Sequence, residues 1–276
     1  MKTLFLSDLD GTLLNSDAQL SEFSKTGLNK LIENGVLFSV ATARTFATVV
    51  DMFQDVNLNI PFILMNGVVI YDPVCKKNVI VHSIDKEQAQ MVLECYKMQN
   101  RTPMLYFMRD DHIEIIYPDT DNPYIKQYVS QRDDLKRKVF ICQDNYKFKK
   151  NDNLIYIVTL DKYENISEVY NNISVKSKLT SMFYIDNYTD CYFLETFSQG
   201  VSKSTGAQQL KEYLGVDKIV AFGDNLNDIP LFKIADESYA VSNAHEELKK
   251  IATGVIDSNN NDAVVRYLLK REDIIL

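Results

Sequence analysis

Apolar and polar positions follow two different rhythms along this chain. Near its start TLFLSDLD (3–10) is an almost unbroken apolar run that ends on two carboxylates, and VLFSVATA (36–43) is a second run of the same kind. Apolar stretches this continuous predict strands buried on both faces of a parallel sheet. Between them SEFSKTGLNKLIENG (21–35) puts Leu28, Leu31 and Ile32 on one helical face, with Gly35 just past the end. TFATVVDMFQ (45–54) sets Phe46, Val49, Val50 and Phe53 at the spacing of an amphipathic helix. PFILMNGVVIYD (61–72) carries Asn-Gly between two apolar arms and predicts a hairpin.

The rhythm changes at about Ile84. DKEQAQMVLECYKMQN (85–100) reads as a helix opened by an Asp85/Gln88 capping arrangement. Around it come Tyr-rich strands, MLYFM (104–108), IEIIYP (113–118), LIYIVTL (154–160) and MFYID (182–186). Strands that follow one another without helices predict a mixed or antiparallel sheet in an α+β module. The first rhythm then returns. STGAQQLKEYLG (204–215), NDIPLFKIA (227–235), HEELKKIA (245–252) and DAVVRYLLK (262–270) read as helices, and KIVAFGD (218–224), SYAVS (238–242) and GVIDS (254–258) as strands. SNNND (258–262) reads only as a turn and helix cap. The expectation is an α/β fold: a Rossmann-like parallel-sheet core from residues 1–83 and 191–276, split by an inserted α+β cap domain at 84–190.

Composition narrows the function. With 276 residues the chain can bury one large core or two ordinary ones. Its formal net charge of −8 disfavours phosphate backbones, so no nucleic-acid partner is expected. The basic clusters LKRK (135–138) and KFKK (147–150) read as solvated surface. Cys75, Cys95, Cys142 and Cys191 form no CxxC pair, which argues against a zinc site or a disulfide framework and fits a reducing compartment. No apolar run approaches the ~20 residues of a membrane span, and no signal core opens the chain. The expected setting is cytoplasmic, with no membrane partner, as a monomer or weak homo-oligomer. The sequons at Asn165, Asn172 and Asn187 then carry no meaning.

Parallel sheets present their ligands beyond the carboxyl ends of the strands. Here those ends offer Asp8 and Asp10, then Thr42, then Asn66-Gly67, then Asp224 followed by Asn225, Asn227 and Asp228, while Lys203 opens a nearby helix. Carboxylates gathered in one crevice repel unless a cation sits among them. An all-oxygen donor set without His or Cys points to a hard ion, Mg²⁺. Each motif alone has a plainer reading. Asp-x-Asp-Gly-Thr can be a polar turn, Asn-Gly a bend, Thr42 a packing residue and Lys203 a surface lysine. GVSKSTG (200–206) is not a Walker A loop because its lysine precedes the second glycine, and no GxGxxG occurs. His82, His112 and His245 are scattered, and Glu164 and Glu195 have no positional argument.

It is the order of the motifs that tells. DLDGTLL (8–14), VATAR (40–44), VSKSTGAQQL (201–210) and GDNLND (223–228) resemble the four ordered motifs of the haloacid dehalogenase superfamily. MNG (65–67), VSNAHEELKKIA (241–252) and SNNNDAVVRYLL resemble more closely its Cof-type phosphatases, as does the position of the insertion, that of a type C2 cap. Departures are local: SKST replaces the commoner Lys-Gly, and DAVV stands where Asp/Glu-Gly-Val is frequent. The resemblance implies a phosphatase for sugar phosphates or similar small phosphorylated metabolites. Asp8 would be the nucleophile that forms an aspartyl-phosphate, and Asp10 the acid and then the base. Mg²⁺ would be held by Asp8, the main-chain carbonyl of Asp10 and Asp224, with Asp228 steadying that shell. Thr42 and Lys203 would hold the phosphoryl group, and Asn66, Gly67 and Asn227 would line the substrate side. The inserted module would act as a lid that selects the leaving group. A phosphomutase with the same nucleophile, or a non-catalytic binder of phosphorylated ligands, remain as alternatives.

Overall fold

The computed structural model describes residues 1–110, 112–132, 137–185 and 189–271, so Asn187, Asp186 and the Leu135-Lys136 part of the LKRK cluster lie outside them. Two compact units emerge, Met1–Ile80 together with Val201–Leu276, and Val81–Gly200. In chain order the first unit begins β1 (Thr3–Ser7), α1 (Glu22–Glu33), β2 (Leu37–Val40), α2 (Phe46–Met52), β3 (Phe62–Leu64), β4 (Val69–Asp72) and β5 (Lys77–Val81). The second contains α3 (Lys86–Met98), β6 (Met104–Met108), β7 (Ile113–Tyr117), α4 (Pro123–Ser130), β8 (Lys138–Cys142), β9 (Leu154–Asp161), α5 (Tyr163–Lys176), β10 (Thr180–Ile185) and β11 (Tyr192–Phe197). The first unit then resumes with α6 (Lys203–Leu214), β12 (Lys218–Gly223), α7 (Ile229–Ile234), β13 (Glu237–Val241), α8 (Glu246–Ile251), β14 (Gly254–Ile256) and α9 (Ala263–Leu269).

The first unit is built on a parallel five-stranded sheet in the order β14-β13-β12-β1-β2. Both of its faces are covered, which is why β1 and β12 read as apolar runs rather than alternations. Leu4, Leu6, Ile219 and Ala221 pack with Leu210 of α6 and Leu231 of α7. Phe222 of β12 packs edge-on to Tyr267 of α9. Each fully buried Leu or Ile of this kind contributes ~1.5–3 kcal/mol. α1 and α9 approach closely because a Cβ on Gly27 would lie 2.4 Å from Val265 Cγ1, leaving room only for glycine. β3 joins the sheet through a single parallel bridge, Ala41 to Ile63, and pairs antiparallel with β4. The expected hairpin is therefore present.

The second unit holds a six-stranded mixed sheet in the order β10-β11-β9-β6-β7-β8, antiparallel apart from the β7–β8 pair. α3 and α5 cover one face through Val92, Ile166, Val169, Leu105, Phe107 and Leu194. Two expectations shift here. The inserted unit does not close at residue 190: β11 pairs along its full length with β9 and β10, so those strands hold it in this sheet and the return comes at Val201. The Asp85/Gln88 capping arrangement does not form, because Gln88 Oε1 accepts instead from Ser177 Oγ and Lys178 N, both at 3.3 Å. No helix among the described residues is long and apolar enough to cross a membrane.

Candidate active site

All five parallel strands point the same way, so the segments that follow β1, β2 and β12 emerge at one edge of the sheet. Asp8 follows β1 directly, and its N–H donates to the Phe222 carbonyl at 3.0 Å, extending the ladder by one residue. The chain then turns sharply at Gly11, whose φ is +74°. A Cβ there would lie 2.5 Å from Asp224 Oδ2, so glycine is needed both for the backbone and for the approach of the two acidic loops. Thr12 lies buried and donates its hydroxyl to Asp224 Oδ1 at 2.9 Å.

Lys203 provides the centre of the arrangement. It opens α6, is 2% exposed, and reaches Asp8 Oδ1 at 2.8 Å and Asp228 Oδ1 at 2.7 Å. Ser202 holds this helix start in a capping box with Thr205. Asp228, with no exposed surface, uses its other oxygen to accept from Asp224 N at 3.1 Å and Asn225 N at 3.2 Å. The same carboxylate thus orders both the lysine and the loop that carries Asp224.

The loops after β2 and β3 are knitted together. Thr42 N donates to the Ile63 carbonyl at 2.9 Å and Asn66 N to the Thr42 carbonyl at 3.0 Å. The buried Thr42 hydroxyl accepts from Arg44 N at 3.1 Å, which leaves its own O–H able to donate. Met65, Asn66 and Gly67 all have positive φ. A Cβ on Gly67 would come within 2.2 Å of the Ser202 carbonyl oxygen, so this turn seats directly against the start of α6. Asn66 is buried, and Asn227 Oδ1 is a buried acceptor with no hydrogen-bond partner among the described residues.

The electrostatics follow from burial. Loss of water raises the pKa of Asp8 well above the usual carboxylate value; Lys203 opposes this, while the charges of Asp228 and Asp224 add to it. Asp224 is pushed up to about 6, by burial first and the Asp228 charge second. Burial works against the Lys203 ammonium, but Asp228 and Asp8 outweigh it and hold that pKa above the ordinary lysine value. Asp8, Asp224 and Asp228 each offer an oxygen, and these atoms lie within 4.8 Å of one another. One ammonium among three carboxylates leaves an excess of negative charge in a nearly dry site. That excess, with only oxygen donors, fits a hard divalent cation such as Mg²⁺.

With this geometry in view, comparison with known proteins is decisive. The sequence profile of haloacid dehalogenase-like hydrolases matches residues 5–268. The chain belongs to that family. Within it, the 5-amino-6-(5-phospho-D-ribitylamino)uracil phosphatase YitU of Bacillus subtilis (strain 168) is 23% identical, covering 96% of this chain and 96% of its own. A crystal structure of a Thermotoga maritima protein superposes with a TM-score of 0.79 at 24% identity, covering 99% of this chain and 98% of its own. A sugar phosphatase of haloacid dehalogenase subclass IIB superposes at 0.75 with 20% identity, covering 100% of both chains. These likenesses agree with the Rossmann-like α/β core and with the Cof-type motifs of this haloacid dehalogenase-like hydrolase.

The structure therefore gathers Asp8, Thr12, Lys203, Asp224 and Asp228 around one point and ties Thr42, Asn66 and Gly67 to the adjoining loops. Asp10 behaves differently. Its carboxylate, half exposed, stands outside the acidic cluster and is gripped by Arg44, with Nε at 2.7 Å from Oδ2 and Nη2 at 2.5 Å from Oδ1. Sequence reasoning placed Arg44 within a motif but gave it no part; only the fold reveals the two-point grip. It also missed the asparagines that anchor the loop after β1. Asn243 Nδ2 donates to the Gly11 carbonyl at 2.8 Å and Asn259 Nδ2 to the Leu14 carbonyl at 2.9 Å. SNNND is thus more than a turn and cap, although its polar density was the visible signal.

Proposed function

We propose that this haloacid dehalogenase-like hydrolase is a Mg²⁺-dependent phosphatase for small phosphorylated metabolites, sugar phosphates or similar monoesters. The observation that carries the reading is Lys203, buried and pinned between Asp8 and Asp228 beside Asp224. Phosphatase names among relatives that cover nearly the whole chain support it. Asp8, the carbonyl of Asp10, Asp224 and Asp228 would hold the ion. When bound, it supplies positive charge at the phosphoryl oxygens and lets Asp8 stand ionised.

The chain's own groups then divide the work. Asp8 attacks phosphorus, a P–O bond forms to its carboxylate oxygen, and the bond to the substrate oxygen breaks. Asp10 delivers a proton to that departing oxygen. It then takes one from the water that attacks the aspartyl-phosphate, which releases inorganic phosphate and restores Asp8. Lys203 offsets repulsion between phosphate and Asp8 and stabilises the charge that spreads over the phosphoryl oxygens. Thr42 donates its hydroxyl to the same oxygens, and Asn66, Gly67 and Asn227 contact the phosphate or the adjoining substrate edge. Uncatalysed monoester hydrolysis can require up to ~10²¹-fold acceleration, which fixed charges in a dry site are suited to supply.

The test is a panel of phosphorylated metabolites with Mg²⁺, with and without chelator, on wild type and Asp8→Asn. Phosphate release that needs the ion and falls at least about a thousandfold in Asp8→Asn is expected. Turnover that survives Asp8→Asn defeats the covalent route, and isomerised sugar phosphate in place of free phosphate identifies a mutase.

A further inference from the structure

Two loops of the first unit, to which the proposed chemistry gives no part, are bonded to both acidic segments. The loop between β13 and α8 supplies Asn243 and His245, and the loop between β14 and α9 supplies Asn259. Asn243 uses both ends of its amide: Nδ2 donates to the Gly11 carbonyl at 2.8 Å, and Oδ1 accepts from Asn259 N at 3.1 Å. Asn259, only 7% exposed, extends the chain of bonds by donating Nδ2 to the Leu14 carbonyl at 2.9 Å. Two residues beyond Asn243, His245 N donates to the Asp224 carbonyl at 2.8 Å. One short loop therefore holds the segment after β1 by a side chain and the segment after β12 by its backbone.

The acidic cluster needs such a brace. Three carboxylates with oxygens within 4.8 Å of one another repel until a cation joins them, so their spacing must be kept by bonds from outside. Lys203 ties Asp8 to Asp228 but forms no ion pair with Asp224 among the described residues. Asp224 Oδ1 is held by the Thr12 hydroxyl at 2.9 Å, and Thr12 rides on the turn whose Gly11 carbonyl Asn243 grips. Asn243 is exposed, and a hydrogen bond open to water adds little to stability. What the bond does set is where the turn lies.

We infer that Asn243, supported by Asn259, is a positioning residue of the metal site. It fixes the Gly11 turn, and through it Asp8, at the distance from Asp224 that a divalent ion requires. The inference rests on the Mg²⁺ reading of the acidic cluster. Without this brace the two acidic segments drift apart, the ion is held less tightly, and Asp8 is aimed less well at phosphorus. Asn29 offers an internal control. It makes the same two-ended join, donating Nδ2 to the Asp55 carbonyl at 2.9 Å and accepting from Asn57 N at 2.8 Å, and bonds to none of the site residues.

The test is calorimetric titration of the full chain with Mg²⁺ in the absence of substrate, followed by kcat and KM for p-nitrophenyl phosphate at saturating Mg²⁺. Asn243→Ala is expected to weaken Mg²⁺ binding by about tenfold and to lower kcat by about tenfold to a hundredfold, with KM within about twofold. Asn259→Ala should act in the same direction. The double variant should add little to the larger single effect, because both side chains serve one chain of bonds. Asn29→Ala should leave both readings at the wild-type level. Mg²⁺ binding unaltered in Asn243→Ala and Asn259→Ala overturns the inference, and so does an equal loss in Asn29→Ala, which would reduce the effect to general loosening. The two readings fail separately: a wild type that binds no Mg²⁺ sinks the metal-dependent phosphatase, whereas a binding wild type with unaltered asparagine variants sinks the positioning role alone.

Discussion

Among the described residues two lysines are buried, one in each unit, and their surroundings are opposite. Lys203 has a carboxylate oxygen on either side within 2.8 Å, and its proton is held more tightly than in water. Lys138 has a cation for its charged neighbour, and its proton is held more loosely. Burial is nearly equal in the two cases, so burial alone says little about what a charge is for. What differs is the company. Opposite charge holds Lys203 in place between Asp8 and Asp228, and like charge leaves the protonated Lys138 as a cost to the fold.

The largest expected effect comes from breaking the satisfied lysine. Lys203→Met strands Asp8 and Asp228 as buried, uncompensated charges and should cost about 3–5 kcal/mol in urea unfolding without added metal. Turnover should fall by at least about a thousandfold, beyond what lost stability explains. Equal stability of this variant and wild type would dissolve the contrast.

Lys138→Met should do the reverse, stabilising the fold by about 1–3 kcal/mol at neutral pH. Its pH dependence has a definite sign. A lysine whose folded pKa is about 8, against 10.5 unfolded, is penalised when protonated. That penalty is full below pH 8 and disappears as pH rises toward 10.5, because in this window the unfolded chain binds more protons. The advantage of the methionine variant should therefore shrink by up to about 3 kcal/mol between those pH values, which paired chemical denaturations would measure. An advantage independent of pH would mean that Lys138 is not held in its unfavourable charged state.

A third cation lies between these extremes. The Arg44 side chain is 25% exposed and its partner Asp10 51%, so the pair should add no more than about 1 kcal/mol to stability. Its two-point grip nonetheless sets the direction of the Asp10 carboxyl group, which in the proposed mechanism meets a departing oxygen. Arg44→Ala should lower kcat by about tenfold to a hundredfold while the denaturation midpoint barely moves, and Arg44→Lys should restore little of it because an ammonium cannot grip both oxygens.

Much of this was legible in the chain. Unbroken apolar runs marked the parallel sheet, because a strand covered on both faces has no polar side to show. The acidic loops could be read from their places at strand ends. Three things could not. Arg44 finds Asp10 only when the β2 and β1 ends are brought together, and nothing in the local pattern points that arginine inward. β11 lies between β9 and β10 because its hydrogen bonds go there, a choice its composition does not announce. Lys138 stands in a short run of basic residues that looks like ordinary solvated surface; the fold sets it in register with the buried Ile113 across the β7–β8 pair and leaves it 8% exposed.

The anchoring of the loop after β1 has a consequence for synthesis. β1 is flanked by β12, with Thr3 opposite Lys218, and the turn that follows is tied to Asn243 and Asn259. Residues 3–14 are thus held by partners more than two hundred positions later in the sequence. The inserted unit, whose sheet pairs only within itself, can assemble while the rest is still being translated. A nascent chain halted before Lys218 would carry Asp8 without the strand that pairs with β1, so the acidic cluster cannot form until synthesis has passed Asp228.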